Sequence, residues 1–190
     1  INYALDLYDL PLLDREEVKK IVGNGAHTMM TRALPPDRAD LTDDVLCRQQ
    51  AYYRSHYADH SRPYPGIVEI LQELQQNQVK CAVLSNKPDC FTRKIIASMF
   101  ASGTFTLVRG HVDDVPLKPD PATALQLAEE LDVKPADALF VGDTAVDIQT
   151  ARRAGMTPIG VTWGFRDRSE LLQNGAAALI DHPQELLDRL

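Results

Sequence analysis

Leu139-Phe140-Val141-Gly142-Asp143-Thr144-Ala145-Val146-Asp147 is the stretch whose reading decides the fold. Its opening apolar run is too short for a helix and suits a buried strand, while the residues from Ala145 onward read as a helix through Ala154. The join delivers Asp143 to the carboxyl end of the strand. The four-residue offset to Asp147 puts both carboxylates on one side of the first helical turn. In open α/β sheets ligands lie beyond the carboxyl ends of the strands, so these two acids are the first candidates for chemistry. Hard oxygen donors in that place suit a magnesium ion that keeps waters and borrows a substrate phosphate oxygen. The competing reading is that Asp143 caps the helix and Asp147 complements its dipole.

Working outward, the same alternation of short apolar runs and amphipathic helices continues on both sides. Upstream, Ile67, Ile70, Leu71 and Leu74 share a helical face that leads into a strand over Val79–Leu84. A helix over Cys90–Met99, a weak strand over Phe105–Val108 and a helix over Ala122–Leu131 follow. Downstream come a strand over Pro158–Val161, a short helix near Leu171, a small strand over Ala178–Ile180 and a last helix near Glu185. Such βα units predict an α/β fold with a doubly wound parallel sheet, Rossmann-like in its core. Before Arg62-Pro63-Tyr64-Pro65-Gly66 the pattern is helical throughout. Asp14 with Glu17 forms a capping-box start for a helix through Val22, Gly23-Asn24-Gly25 breaks it, and Thr42 is a candidate cap for a longer helix. The expected organisation is a helical subdomain over 1–62 and an α/β core over 63–190.

Two further motifs stand at strand ends. In Leu84-Ser85-Asn86-Lys87-Pro88 a hydroxyl and the backbone N–H groups of the turn can meet an anion, or the segment is a plain strand-to-helix turn. In Val115-Pro116-Leu117-Lys118-Pro119-Asp120-Pro121 flanking prolines limit the backbone around Lys118, which suits an ammonium aimed at a phosphate, or a solvated lysine in a turn.

Composition narrows the classes. The net charge of −7 argues against a nucleic-acid partner, which would need a basic face. Cys47, Cys81 and Cys90 form no C-x-x-C pair, so neither a disulfide framework nor a zinc knuckle is indicated, and reduced thiols in a cytoplasm are expected. No apolar run approaches the roughly 18 residues of a membrane span. His56 and His60, four apart, lack a third metal ligand nearby. Nothing in the sequence sets an oligomeric state.

Taken together, Ser85-Asn86-Lys87, Lys118-Pro119 and Gly142-Asp143-Thr144 with Asp147 resemble, in order and spacing, the second, third and fourth motifs of the haloacid dehalogenase superfamily of phosphatases. Tyr64-Pro65-Gly66 looks like that family's passage from cap to core, and the helical region before it is similar to the small α-helical cap of phosphoglycolate phosphatases and β-phosphoglucomutases. The resemblance implies Mg2+ and an aspartyl-phosphate intermediate. Ser85 would donate to the phosphoryl oxygens with help from the Asn86 backbone, and Lys118 would stabilise nucleophile and phosphoryl group. Asp143 would ligate the metal, and Asp147 would order its water shell or orient Lys118. Gly23 and Asn24, in a cap loop, would contact the substrate or merely end a helix.

The family's first motif, an Asp-x-Asp-Gly-Thr run, has no counterpart: no two aspartates stand two apart in the sequence. The nucleophile and the acid/base aspartate are therefore absent, and the chain by itself is expected to be inactive. By resemblance the missing strand lies between those ending at Leu84 and Val141, and about 20 residues are expected to precede Ile1 in the native protein. The expected function of that protein is hydrolysis of a small phosphorylated metabolite, with 2-phosphoglycolate the first candidate. The alternatives are a sugar phosphomutase and a non-catalytic relative that binds phosphate and magnesium.

Overall fold

The computed structural model describes residues 1–190. The first four helices are α1 (Asn2–Asp6), α2 (Arg15–Ile21), α3 (Ala26–Ala33) and α4 (Thr42–His56), with a 3-10 turn over Pro36–Leu41 before the last. Asp14 caps α2 as expected: the Glu17 N–H donates to its side chain at 2.8 Å, and the Glu17 carboxylate accepts from the Asp14 N–H at 2.7 Å. Thr42 does not cap α4 but is its first residue, because its hydroxyl turns back to the Ala39 carbonyl at 2.7 Å. Ala4, Leu5, Leu10, Met30, Ala33, Leu34 and Val45 close into a core of their own. Full burial of a Leu or Met contributes about 1.5–3 kcal/mol, and this cluster is what holds four short helices together.

The remainder alternates: α5 (Ile67–Gln76), β1 (Ala82–Pro88), α6 (Asp89–Met99), β2 (Leu107–His111), α7 (Ala122–Glu130), β3 (Leu139–Gly142), α8 (Ala145–Ala154), β4 (Thr157–Val161), α9 (Arg168–Gln173), β5 (Ala178–Ile180) and a 3-10 turn over Pro183–Arg189. β1 starts three residues later than the apolar run suggests. Gln78 takes a left-handed turn and the Val79 N–H still caps α5 through the Leu74 carbonyl, so Val79 belongs to the turn. The strand then runs on through Ser85 and Lys87, with an irregularity between Leu84 and Pro88.

Every strand pairing is parallel, but the sheet is in two pieces, β1-β2 and β3-β4-β5. No pairing links β1 to β3. Both pieces rest on one layer: Leu84 of β1 and Phe140 of β3 pack against Ala124, Ala128, Ala151, Ala154 and Met156. The alanines let α7 and α8 approach each other closely, and Gly155, in the left-handed region at φ 70°, ends α8.

Candidate active site

Thr144, not Asp143, is the N-cap of α8. Asp147 completes the capping box, one carboxylate oxygen accepting from the Thr144 N–H at 3.0 Å and from its hydroxyl at 2.7 Å. The capping alternative for Asp143 is thereby corrected. With Thr144 in that place, Asp143 is free to face the strand ends, and Asp147 serves both helix and site. Its second oxygen accepts from the Lys118 ammonium at 2.7 Å, and both side chains are nearly buried, at 11% and 10% exposure. Lys118 also donates to the Leu84 carbonyl at 3.1 Å and lies over the Phe140 ring. Gly142 makes room: a Cβ there would fall inside the Asp147 side chain.

Asp143 is held differently. Its Oδ2 accepts from the Phe165 N–H at 2.9 Å, leaving Oδ1 with no hydrogen bond from another residue. Burial pushes its carboxyl above the ordinary value, the Asp147 charge adds to this, and the Phe165 N–H and Lys118 oppose it. A half-buried carboxylate raised by desolvation gains from a cation at its free oxygen. The donor set suits one point of attachment: no group of three or more His, Cys, Asp or Glu side chains converges in the molecule. Asp143 could thus serve as a single point of attachment for a hard cation, and no cage of carboxylates surrounds it.

Ser85 follows Leu84, the residue that holds Lys118, and its hydroxyl oxygen accepts from the Lys87 N–H at 3.1 Å. Asn86 contributes through its side chain, which the sequence reading had not anticipated. Its amide donates to the Gly23 and Lys118 carbonyls, each at 2.9 Å, and accepts from the Lys118 N–H at 2.8 Å. One buried amide therefore fixes the lysine's backbone and ties it to the helical region. The Lys118–Pro119 peptide bond is cis. Lys87 reaches the same region, donating to the Tyr53 hydroxyl at 3.0 Å and lying 4.7 Å from the centre of its ring.

Of the residues singled out, Ser85, Asn86, Lys118, Asp143 and Asp147 converge, and Gly23 joins them through its carbonyl. Asn24 does not, since its side chain accepts from Arg32 at 2.9 Å within the helical region. His56 pairs with Asp59 at 2.7 Å rather than with His60. The sequence reading named Thr144 within a motif but gave it no role, and it did not single out Tyr53 or the loop 162–167 that carries Phe165. That loop also follows a strand end and holds Gly164, so the rule that pointed to Asp143 could have pointed to it.

The family model for haloacid dehalogenase-like hydrolases matches residues 1–161. The chain belongs to that family. Phosphoglycolate phosphatase 1 of Pseudomonas aeruginosa is 31% identical over 98% of this chain and 71% of its own length, and phosphoglycolate phosphatase of Pectobacterium atrosepticum is 31% identical over 100% and 80%. An N-acetylmuramic acid 6-phosphate phosphatase of P. aeruginosa is 32% identical over 96% and 82%. Among solved structures, a predicted phosphoglycolate phosphatase from Haemophilus somnus superposes with a TM-score of 0.87 at 27% identity, covering 99% of this chain and 87% of that one. Within the haloacid dehalogenase-like hydrolases, then, this chain stands with the phosphatases that act on phosphoric monoesters, and its α/β core with a helical cap is theirs.

Proposed function

We propose that the protein hydrolyses a small phosphate monoester, of the phosphoglycolate type, with Mg2+ at Asp143 and an aspartyl-phosphate as intermediate. The observation that carries this reading is the buried Lys118–Asp147 pair, held between the Leu84 carbonyl and the α8 cap beside the half-buried Asp143. Residues 1–62 serve as cap and 63–190 as core. When bound, the metal supplies positive charge that screens the transferring phosphoryl group. Asp143 anchors it. Lys118 would add to that positive charge, its ammonium fixed by two acceptors and therefore needing little rearrangement. Ser85 and the turn N–H groups donate to the phosphoryl oxygens. Asp147 orients Lys118.

The attacking aspartate of the resemblance has no counterpart in residues 1–190, and these residues alone are expected not to turn over an ester. Relatives named for phosphatases favour hydrolysis over phosphoryl return to the substrate. The β-phosphoglucomutase of Clostridium difficile, at 18% identity, carries the fold alone. The substrate is a free small metabolite, and the free thiols suit a reducing cytoplasm. The test is the full-length protein with Mg2+ against a panel of small phosphate esters, including 2-phosphoglycolate and a sugar 6-phosphate. Release of inorganic phosphate that vanishes in Asp143→Ala supports the reading. Turnover that is indifferent to that variant or to chelator overturns it.

A further inference from the structure

Arg166, in the loop after β4, reaches out of the core and donates to three carbonyls where α2 ends: Lys19 at 2.6 Å, Lys20 at 3.3 Å and Val22 at 3.3 Å. These are orphan acceptors at a helix C-terminus, and a guanidinium fork is well made to satisfy several at once. Its Nε pairs with Glu170 at 3.4 Å, and Glu170 in turn accepts from the Ala145 N–H, at the start of α8, at 3.3 Å. The residue before it, Phe165, holds Asp143 through its N–H, and a Cβ on Gly164 would collide with the Asp143 side chain. The loop is thus pressed against Asp143 on one side and bolted to the cap on the other. The cap segment it grips, ending at Val22, is next to Gly23, which Asn86 grips from the Lys118 side.

We infer that Arg166 is a positioning residue that couples docking of the cap to the placement of Asp143. The Val22–Gly23 segment is clamped from two directions, and release of either clamp loosens the other. The phosphatase reading gives Asp143 its use, but the coupling itself is readable without substrate.

The test is amide hydrogen exchange in the full chain, with Ile159 of β4 as internal reference against global unfolding. Arg166→Ala removes three charge-assisted hydrogen bonds, and exchange at the helical N–H groups of residues 19–21, in the last turn of α2, and at Phe165 should rise about tenfold or more relative to Ile159. Arg166→Lys keeps the charge but loses the fork, and should fall between. The decisive variant is Asn86→Ala, because Asn86 touches neither Arg166 nor Phe165. Coupling requires that Phe165 exchange faster there too. Arg168→Ala, which breaks only the exposed pair with Asp181, should leave both regions at wild-type values. If Asn86→Ala leaves Phe165 unchanged relative to Ile159, or if Arg166→Ala loosens the cap segment alone, Arg166 is only a helix cap and the inference is overturned.

Discussion

Replacing Asn86 by alanine removes three hydrogen bonds at once, to the Gly23 carbonyl, the Lys118 carbonyl and the Lys118 N–H, from a side chain only 8% exposed. Each such bond contributes about 1 kcal/mol net, so the expected loss is about 3 kcal/mol. For a chain of this size that corresponds to a fall in melting temperature of roughly 6–12 °C. The cavity left behind is small and polar, and water entering it would re-satisfy the carbonyls more easily than the N–H. The assay is urea unfolding followed by circular dichroism, with the slope against denaturant expected to match wild type, since the surface exposed on unfolding hardly changes. Asn86→Asp is the informative companion: it can still accept from the Lys118 N–H but cannot donate to either carbonyl, and should be no better than alanine. A loss below about 0.5 kcal/mol for Asn86→Ala would refute the brace, because a surface substitution does as much.

Three other outcomes follow from the site. Burial raises the Asp143 carboxyl above its unfolded value of about 4, so the native chain keeps a proton that the unfolded chain has lost, and stability falls as pH rises through that window. Asp143→Asn should therefore melt higher than wild type at pH 7 in chelator while losing phosphatase activity; an equal or lower melting point would contradict the assigned burial cost. Lys118→Met leaves Asp147 buried without its cation and should cost about 3 kcal/mol, the low end for a broken buried pair because Thr144 still donates twice, with Asp147→Asn in the same chain recovering part of it in a thermal melt. Gly164→Ala places a methyl against the Asp143 carboxylate and should cut turnover of the full-length enzyme far more than it shifts the melting point; undiminished activity would mean that the loop has slack.

The fold was legible where periodicity and punctuation agree. The strand-to-helix join at Gly142-Asp143-Thr144 and the start of α2 at Asp14 are local events, decided by an apolar run and a capping residue within a few positions. Boundaries that depend on pairing were less legible: β1 starts late because a left-handed turn at Gln78 uses up the apolar residues before it, and it runs to Pro88 because pairing with β2 resumes there, after the unpaired Ser85-Asn86-Lys87. The two candidate carboxylates, Asp143 and Asp147, could be located from a strand end and the helical turn after it. Their partners could not, since Asn86 to Gly23 and Arg166 to Lys19 join residues 63 and 147 positions apart. Such contacts leave no local pattern, and polar side chains that make them look like any solvated turn residue.

Those long-range contacts also explain why site and fold are hard to separate in this chain. Leu84 of β1 and Phe140 of β3 pack on the same helix layer, and Lys118 reaches across above it. The Lys118 ammonium ties the last carbonyl before Ser85 in one sheet to the carboxylate that caps the helix after the other. Under the proposed reading, a lysine aimed at a phosphoryl group is therefore also a brace between β1 and α8. In that reading the charge arrangement at the site and the contact of β1 with α8 rest on the same ammonium. Under the proposed reading, substitutions at Lys118, Asp147 or Asn86 are expected to move activity and stability together, whereas at Asp143, whose one hydrogen bond from Phe165 an asparagine can keep and whose charge burial disfavours, the two should separate.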